Sequence, residues 1–202
     1  MQEPLLPLKP VTLRGAHVTL EPLAPGHLDD LREAVADGEL WKLWYTSVPS
    51  PDRMESEIAR RLALQEKGSM QPFAVRRNDT GALCGMTSYM DIDAVNRRLE
   101  IGSTWTAAGA QRSGVNTESK MMLLAHAFDV LECIAVEFRT HWMNHQSRAA
   151  IARLGAKQDG VLRAHRVMAD GTLRDTVVFS ITAPEWPAVR SHLHYKLGRG
   201  GA

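Results

Sequence analysis

A short loop ahead of a helix carries the residues of this sequence best suited to chemistry. The segment 111–118, Gln-Arg-Ser-Gly-Val-Asn-Thr-Glu, follows a strand-like stretch ending near Trp105 and precedes a segment with an apolar stripe. The first N–H groups of a helix lack partners within it and the helix dipole adds positive potential, so such a junction binds anions. Gly114 permits close approach of a ligand, and Arg112 can bond a phosphate. A plain loop with a helix cap fits equally, and neither a Walker loop nor a dinucleotide fingerprint is present.

Three motifs in order give the chain a family resemblance. Residues 111–116 resemble the pyrophosphate loop Gln/Arg-x-x-Gly-x-Gly/Ala of the GNAT superfamily of N-acetyltransferases, although Asn116 replaces a tiny last residue. Residues 99–102, Leu-Glu-Ile-Gly, are similar to the family's glutamate-bearing strand before that loop. Residues 144–163 contain Asn-x-x-Ser, Arg-Leu-Gly-Ala and Asp-Gly-x-x-Arg, which resemble a helix, a turn and a strand of the RimJ/RimL-like branch.

The resemblance implies acetyl-CoA as the co-substrate and no metal. The diphosphate would lie on the loop, and the pantetheine arm would pair like a strand with backbone after Glu100, if the sheet splays there. The implied acetyl-CoA contacts are Ser103, Thr104, Trp105, Thr106, Gln111, Arg112, Ser113, Gly114, Val115, Asn116, Thr117, Asn144 and Ser147.

The chemistry also requires a proton acceptor, because a protonated amine cannot attack a thioester. At pH 7 an α-amine with a pKa of about 7.7–8.0 costs about 1 kcal/mol to deprotonate, and a lysine side chain nearly 5. A carboxylate in the crevice removes that proton. By resemblance Glu100 is the candidate base; the alternative is a solvated strand residue or one paired with Arg97 or Arg98.

The leaving thiolate must then be protonated. Many family members use a tyrosine, but the corresponding helix here has none, and its motif offers Ser147 as the acid or thiol contact, with Asn144 on the pantetheine. The alternative for Ser147 is an ordinary first-turn residue, with water supplying the proton. A backbone N–H near Ile101 or Gly102 is the expected oxyanion donor, with Gly102 as a bulge residue.

Candidates for binding the amine acceptor lie earlier in the chain. Trp41, Trp44 and Tyr45 form an aromatic cluster where the family builds its acceptor wall, although packing in the core explains them equally well. Asp91 ends a strand facing the same region; it could attract a cationic amine or simply form a turn.

The elements that position these residues follow from periodicity and turn residues. We expect one α/β domain over residues 1–202, with an extended lead-in at 1–12 and a frayed tail at 197–202. Strand–helix–strand from Glu100 to Phe138 predicts one parallel pair, splayed by resemblance, in an otherwise antiparallel sheet flanked by helices. The predicted strands are 17–23, 72–76, 83–92, 98–105, 134–138, 160–168 and 172–181, and the predicted helices are 28–35, 52–65, 115–131, 144–154 and one from 184.

Composition excludes several other classes. The 202 residues carry 24 Lys+Arg against 23 Asp+Glu, a net charge of +1, so nothing indicates a nucleic-acid binder. No apolar run approaches the roughly 18 residues of a membrane span, and no signal pattern opens the chain. Two cysteines make neither a disulfide framework nor a metal cluster, which indicates a reduced, cytoplasmic protein.

Together these observations predict an acetyl-CoA-dependent N-acetyltransferase with direct transfer to a primary amine. The acceptor is either a protein N-terminal α-amine or a small amine, amino acid or antibiotic, because a fold does not choose substrates. The rival prediction is a non-catalytic acyl-CoA-binding or interaction module on the same fold. The resemblance also implies a homodimer.

Overall fold

A single eight-stranded sheet organises the computed structural model, which describes residues 8–199. The strands are β1 Leu13–Arg14, β2 Val18–Pro22, β3 Met70–Arg77, β4 Leu83–Asp93, β5 Arg98–Thr106, β6 Ala135–His141, β7 Lys157–Val167 and β8 Leu173–Thr182. The helices are α1 Leu28–Ala36, α2 Met54–Glu66, α3 Gly114–Ala125, α4 His145–Arg153 and α5 Trp186–Arg199. No helix among residues 8–199 is long and apolar enough to cross a bilayer.

The sheet has the order β1-β2-β3-β4-β5-β6-β8-β7, and only β5 and β6 run parallel. Their pairing covers three positions and ends where Glu100 lies opposite Glu137. Beyond that point β5 keeps its pairing with β4, and β6 keeps its pairing with β8. The predicted mixed sheet with one parallel pair and flanking helices is therefore confirmed.

The two faces of the sheet bury separate cores. Leu123 and Leu124 of α3 and Trp186 of α5 pack on one face against alternate side chains of the strands. Leu31 of α1 and Met54 of α2 pack on the other. Side chains of β5 and β6 that point away from the first core, Glu100 among them, therefore point towards the side of α1 and α2.

Two helices that border the β5–β6 split begin at capping residues. The Ser113 hydroxyl accepts from the Val115 N–H at 3.3 Å, and the Asn144 side-chain oxygen accepts from the Ser147 N–H at 3.0 Å. Such caps satisfy N–H groups that would otherwise lack partners. The helix predicted over 115–131 is present to Val130, but it is α-helical only as far as Ala125 and continues as a π-helical turn.

The two ends of the chain differ from expectation in detail. Helix α5 continues to Arg199, so the first three residues of the tail expected at 197–202 are helical, and 200–202 lie outside the described residues. In the expected lead-in, residues 1–7 also lie outside them, and 8–12 carry no regular secondary structure.

A buried carboxylate fixes α3 to the start of the sheet. Glu118 accepts three hydrogen bonds, from the N–H groups of Ala16, His17 and Val18, at 2.7–2.8 Å. Gly15 makes room for it, since an added Cβ would lie 2.4 Å from the Glu118 carboxyl carbon. The turn between β1 and β2 thus sets the position of the first turn of α3.

Candidate active site

The site is built around the point where β5 and β6 separate. Glu100 is the last residue of the parallel pairing, and its side chain is 6% exposed. Gly102 leaves space for the carboxyl group, because a Cβ there would lie 2.6 Å from Glu100 Oε1. The sheet therefore holds a buried carboxylic acid at the apex of the split.

Burial raises the pKa of Glu100 to about 7. Arg139, whose Nε lies 3.6 Å from Glu100 Oε2, opposes this shift, whereas Asp91 and Glu137 reinforce it. A carboxyl group with a pKa near 7 exchanges protons readily at neutral pH, as a general base requires. The structure thus places Glu100 in an environment suited to the predicted role.

Asp91 lies beside Glu100 rather than in a simple turn. It occupies an irregularity of β4, with a φ of +48°, between the pairs Met90–Glu100 and Asp93–Arg98. Its carboxylate lies 3.7 Å from Arg139 Nη1, and Arg139 also donates to Glu137 at 2.8 Å. Arg98 pairs with Glu137 as well, and not with Glu100, so two arginines face three carboxylates. At most one unit of negative charge then remains, and only while Glu100 is ionised, which suits a single ammonium group.

A β-bulge in β5 follows the split and is held from the α2 side. Ser103 has a φ of +49° and lies where the β4–β5 register shifts, so the bulge is one residue beyond the expected Gly102. Arg61 of α2, 1% exposed, donates to the Ser103 carbonyl and hydroxyl, both at 2.9 Å, and to Ser88 at 3.0 Å. Glu57 accepts from Arg61 Nε at 2.7 Å and balances its charge.

The opposite side of the bulge is held by a buried lysine. Lys120 of α3 donates from Nζ to the hydroxyls of Thr104 at 2.7 Å and Thr87 at 3.2 Å. Burial lowers the pKa of Lys120 to about 7, and the charge of Glu100 opposes this only in part. Two buried basic side chains thus fix the backbone of β5 next to the split.

Of the predicted pantetheine strand, only part can face a ligand. The Ser103 carbonyl is occupied by Arg61, and the Thr106 carbonyl accepts from the Gln111 side chain at 3.0 Å. Trp105 is buried in the core beneath α1 and α2, so it offers only its backbone. The exposed Thr104 and the edge of β5 turned towards β6 are the remaining contacts.

The predicted phosphate loop lies directly at the start of α3. Gln111 and Arg112 form a turn, Arg112 has a φ of +56° and an exposed side chain, and the helix begins at Gly114. The side chains of Val115 and Thr117 are buried, so these residues offer backbone groups, whereas Asn116 is half-buried. Because the Ser113 hydroxyl caps the Val115 N–H, the other first-turn N–H groups and the Arg112 guanidinium are the groups that suit a diphosphate.

Helix α4 brings Asn144 and Ser147 to the same cleft. Gln146 in its first turn lies 3.5 Å from the Gln111 side chain, which joins α4 to the phosphate loop. The side-chain oxygen of Asn144 is used by the helix cap, so the contact predicted for it would be made by its amide nitrogen. Ser147 is half-buried in the same turn.

The predicted aromatic wall divides into two parts. Trp41 packs against the core beneath α1 and α2. Trp44 and Tyr45 pack instead around the His141 ring at the end of β6, with centroid distances of 5.2 and 6.4 Å. The structure therefore brings Trp44 and Tyr45 to the split and leaves Trp41 away from them.

Comparison with known proteins agrees with this geometry. Residues 17–157 match the family described as "Acetyltransferase (GNAT) domain". The chain belongs to the GNAT acetyltransferase family. A curated relative, "Putative ribosomal N-acetyltransferase YdaF" of Bacillus subtilis, is 35% identical over 106 residues, which cover 52% of this chain and 57% of the relative. The match thus spans little more than half of that relative.

Two solved structures extend the likeness over nearly the whole GNAT chain. A GCN5-related N-acetyltransferase from Brucella melitensis has a TM-score of 0.83 at 29% identity, covering 94% of this chain and 86% of that one. Mycobacterium smegmatis RimJ, solved with CoA-disulfide, has a TM-score of 0.77 at 25% identity, covering 98% of each chain. The inferred resemblance to the RimJ/RimL-like branch is confirmed.

The positions of four residues of this GNAT protein near the split were not predicted from its sequence: Arg61, Lys120, Arg139 and His141. A signal existed for two of them. Arg61 lies seven residues after Met54, and Lys120 three before Leu123, so each falls on its helix's buried stripe. No local pattern marked Arg139 or His141, because their partners come from other elements.

Proposed function

We propose that this protein is an acetyl-CoA-dependent N-acetyltransferase that transfers the acetyl group directly to a primary amine, with Glu100 as the base. The observation that carries the proposal is the buried Glu100 carboxyl group, with a pKa of about 7, at the apex of the β5–β6 split. Burial of this carboxyl group beside Asp91 costs the fold stability when it ionises, and a proton acceptor that works near neutral pH accounts for that cost.

Different residues of the cleft would bind acetyl-CoA and transfer the protons. The first turn of α3 and Arg112 hold the diphosphate, and the free edge of β5 with Asn144 holds the pantetheine arm. When bound, acetyl-CoA supplies an activated acetyl group as a thioester. The amine forms the new C–N bond as the C–S bond breaks, its proton passes to Glu100, and the thiolate takes a proton from Ser147 or from water held there.

The acceptor enters from the side of the sheet that faces α1 and α2. Asp91, Glu100 and Glu137 attract an ammonium group there, and Trp44 and Tyr45 form an adjacent wall. The name of the Bacillus subtilis relative supports a ribosomal protein N-terminus as acceptor. A small amine, amino acid or antibiotic is the second candidate, since the same charges suit any primary amine.

A thiol-release assay tests this function. Purified protein with acetyl-CoA is offered N-terminal tripeptides, free amino acids, polyamines and aminoglycosides, and calorimetry measures acetyl-CoA binding. We expect binding together with release of thiol for one acceptor class. Binding without transfer to any amine would favour a non-catalytic acyl-CoA-binding module, and absence of binding would refute both proposals.

We also propose that the protein is a homodimer. The β7–β8 hairpin exposes three large apolar side chains, Leu162, Val167 and Leu173, and a second copy of the chain could bury them. Light scattering after size exclusion is expected to give twice the chain mass of 22.4 kDa. A monomer mass at micromolar concentration would refute this proposal.

A further inference from the structure

His141 has one ring nitrogen whose role the fold does not explain. The residue is 4% exposed, at the end of β6. Its Nδ1 accepts from the Met143 N–H at 3.0 Å, so the neutral ring carries its proton on Nε2. Nε2 is buried and finds no hydrogen-bond partner among residues 8–199. Leaving such a donor unsatisfied costs about 1–3 kcal/mol, which calls for an explanation.

Atoms of His141 other than Nε2 account for its structural role. Its carbonyl accepts from the Asn144 N–H at 2.9 Å, and Nδ1 holds Met143, so together they shape the turn from β6 to α4. Neither contact requires a donor at Nε2. Because burial lowers the pKa of His141, with Arg174 assisting and Asp175 opposing, the ring stays neutral and Nε2 stays a donor at neutral pH.

The ring faces the acceptor side of the split. Glu137, Arg139 and His141 alternate along one face of β6, and Arg139 contacts Glu100 at 3.6 Å. At about 3.3 Å per residue, His141 lies about 7 Å along the strand from Arg139. Trp44, which is 54% exposed, covers the ring edge-to-face at 5.2 Å and 79°, so an acceptor oxygen reaches Nε2 only when the Trp44 side chain turns outwards.

We propose that His141 recognises the amine acceptor by donating a hydrogen bond from Nε2 to an oxygen of that acceptor. The inference rests on the proposed function and adds a requirement to it. A donor without a charge binds a carbonyl or hydroxyl oxygen and not a second ammonium group. The preferred acceptor therefore carries an oxygen at some distance from its amine, beyond the carboxylates that hold the amine, and a plain alkylamine lacks this contact.

Two substitutions separate this role from the turn. In His141→Gln the side-chain amide reaches the place of Nε2 and restores a donor there. In His141→Asn the shorter side chain can still accept from Met143 but has no donor at that place. Each variant is compared with the wild type for acceptor KM, kcat and acetyl-CoA KM, using the best tripeptide of the thiol-release assay and an n-alkylamine of similar length.

For the tripeptide we expect His141→Asn to raise the acceptor KM roughly tenfold while acetyl-CoA KM stays within about twofold. His141→Gln should recover most of that loss. With the alkylamine, the wild type and both variants should have the same KM. Thermal melting of each variant reports on the turn separately.

Three results would overturn the inference. The first is an unchanged tripeptide KM in His141→Asn, and the second is a rise in acetyl-CoA KM instead. The third is a tripeptide KM that is near wild type in His141→Asn and raised in His141→Gln. Each leaves the proposed function standing, because the wild type still transfers acetyl groups. If the wild type binds acetyl-CoA and acetylates no probe, the proposed function itself fails, and the inference with it.

Discussion

Replacing Glu100 by glutamine removes a proton acceptor while keeping the shape of the side chain. The carboxyl group is buried beside Gly102 and Arg139, so the isosteric amide fits the same space. Any loss of activity then reports on the charge and the proton, and not on a cavity.

The size of the effect follows from the amine. At pH 7 an α-amine with a pKa of 7.7–8.0 costs about 1 kcal/mol to deprotonate, and the variant has no carboxylate at the site to take the proton. General-base catalysis contributes typically 10²–10⁴-fold, so we expect kcat/KM of Glu100→Gln to fall at least tenfold at pH 7. Near pH 9 the amine is already neutral, and the loss should shrink to a few-fold.

The assay is a pH–rate profile from pH 6 to 9.5 with a tripeptide acceptor. The wild-type profile should rise through about pH 7, where Glu100 ionises, and the variant should rise only with the pKa of the amine. Glu137→Gln is the matched comparison, because it removes a carboxylate that shares Arg139 without removing the proton acceptor. It should raise the acceptor KM and keep the rise of the profile that comes from Glu100. A Glu100→Gln loss that is equal at every pH, or the same loss of that rise in Glu137→Gln, would refute the reasoning.

The same variant should also be more stable at high pH. Because folding raises the pKa of Glu100 from 4.5 to about 7, the folded state favours the protonated form. Stability from this group is complete below pH 4.5 and is lost as pH rises to about 7, a difference of about 3 kcal/mol. Glu100→Gln avoids this loss, so its Tm should exceed that of the wild type at pH 8 and match it near pH 4.5.

Three other substitutions test the surroundings of the site. Lys120→Met should raise Tm at pH 7, because a buried lysine with its pKa lowered to about 7 destabilises the fold at neutral and acidic pH. This gain in Tm should fade towards pH 10.5. A fall in Tm at pH 7 would mean that the hydrogen bonds of Lys120 to two threonines dominate. Glu118→Gln should cost about 2–4 kcal/mol in urea unfolding, because three N–H groups lose a charged acceptor, and a cost below 0.5 would be inconsistent with that contact. Ser147→Ala should lower kcat if its hydroxyl protonates the thiolate, and a wild-type rate would assign that proton to water.

The fold could be predicted from the sequence because its signals are local or carried by a motif. Alternating apolar residues defined the strands, and a strand–helix–strand order predicted the single parallel pair that the structure shows. For the helix predicted over 115–131, the apolar spacing gave no sign that the segment His126–Val130 is a π-helical turn. The periodicity of apolar residues does not distinguish an α-helix from a π-helical turn.

The candidate site was predictable only in part. The phosphate loop and Glu100 each belong to a short sequence motif, whereas the roles of Arg139 and His141 depend on residues of distant segments. Trp41, Trp44 and Tyr45 look alike in sequence, and only the bend of the chain after α1 turns Trp41 into one core and the other two towards His141. Which of these aromatic side chains enters the core therefore depends on tertiary packing.

The three hydrogen bonds that Glu118 accepts have a thermodynamic consequence. The carboxylate sits about one helical turn from the loop, so the start of the sheet and the proposed diphosphate site share one anchor. The His17 ring packs on Gly114 and joins the two a second time. A ligand that orders the loop thereby also suppresses local opening of the first strands. In amide hydrogen exchange, the N–H groups of residues 16–18 would then report occupancy of the loop.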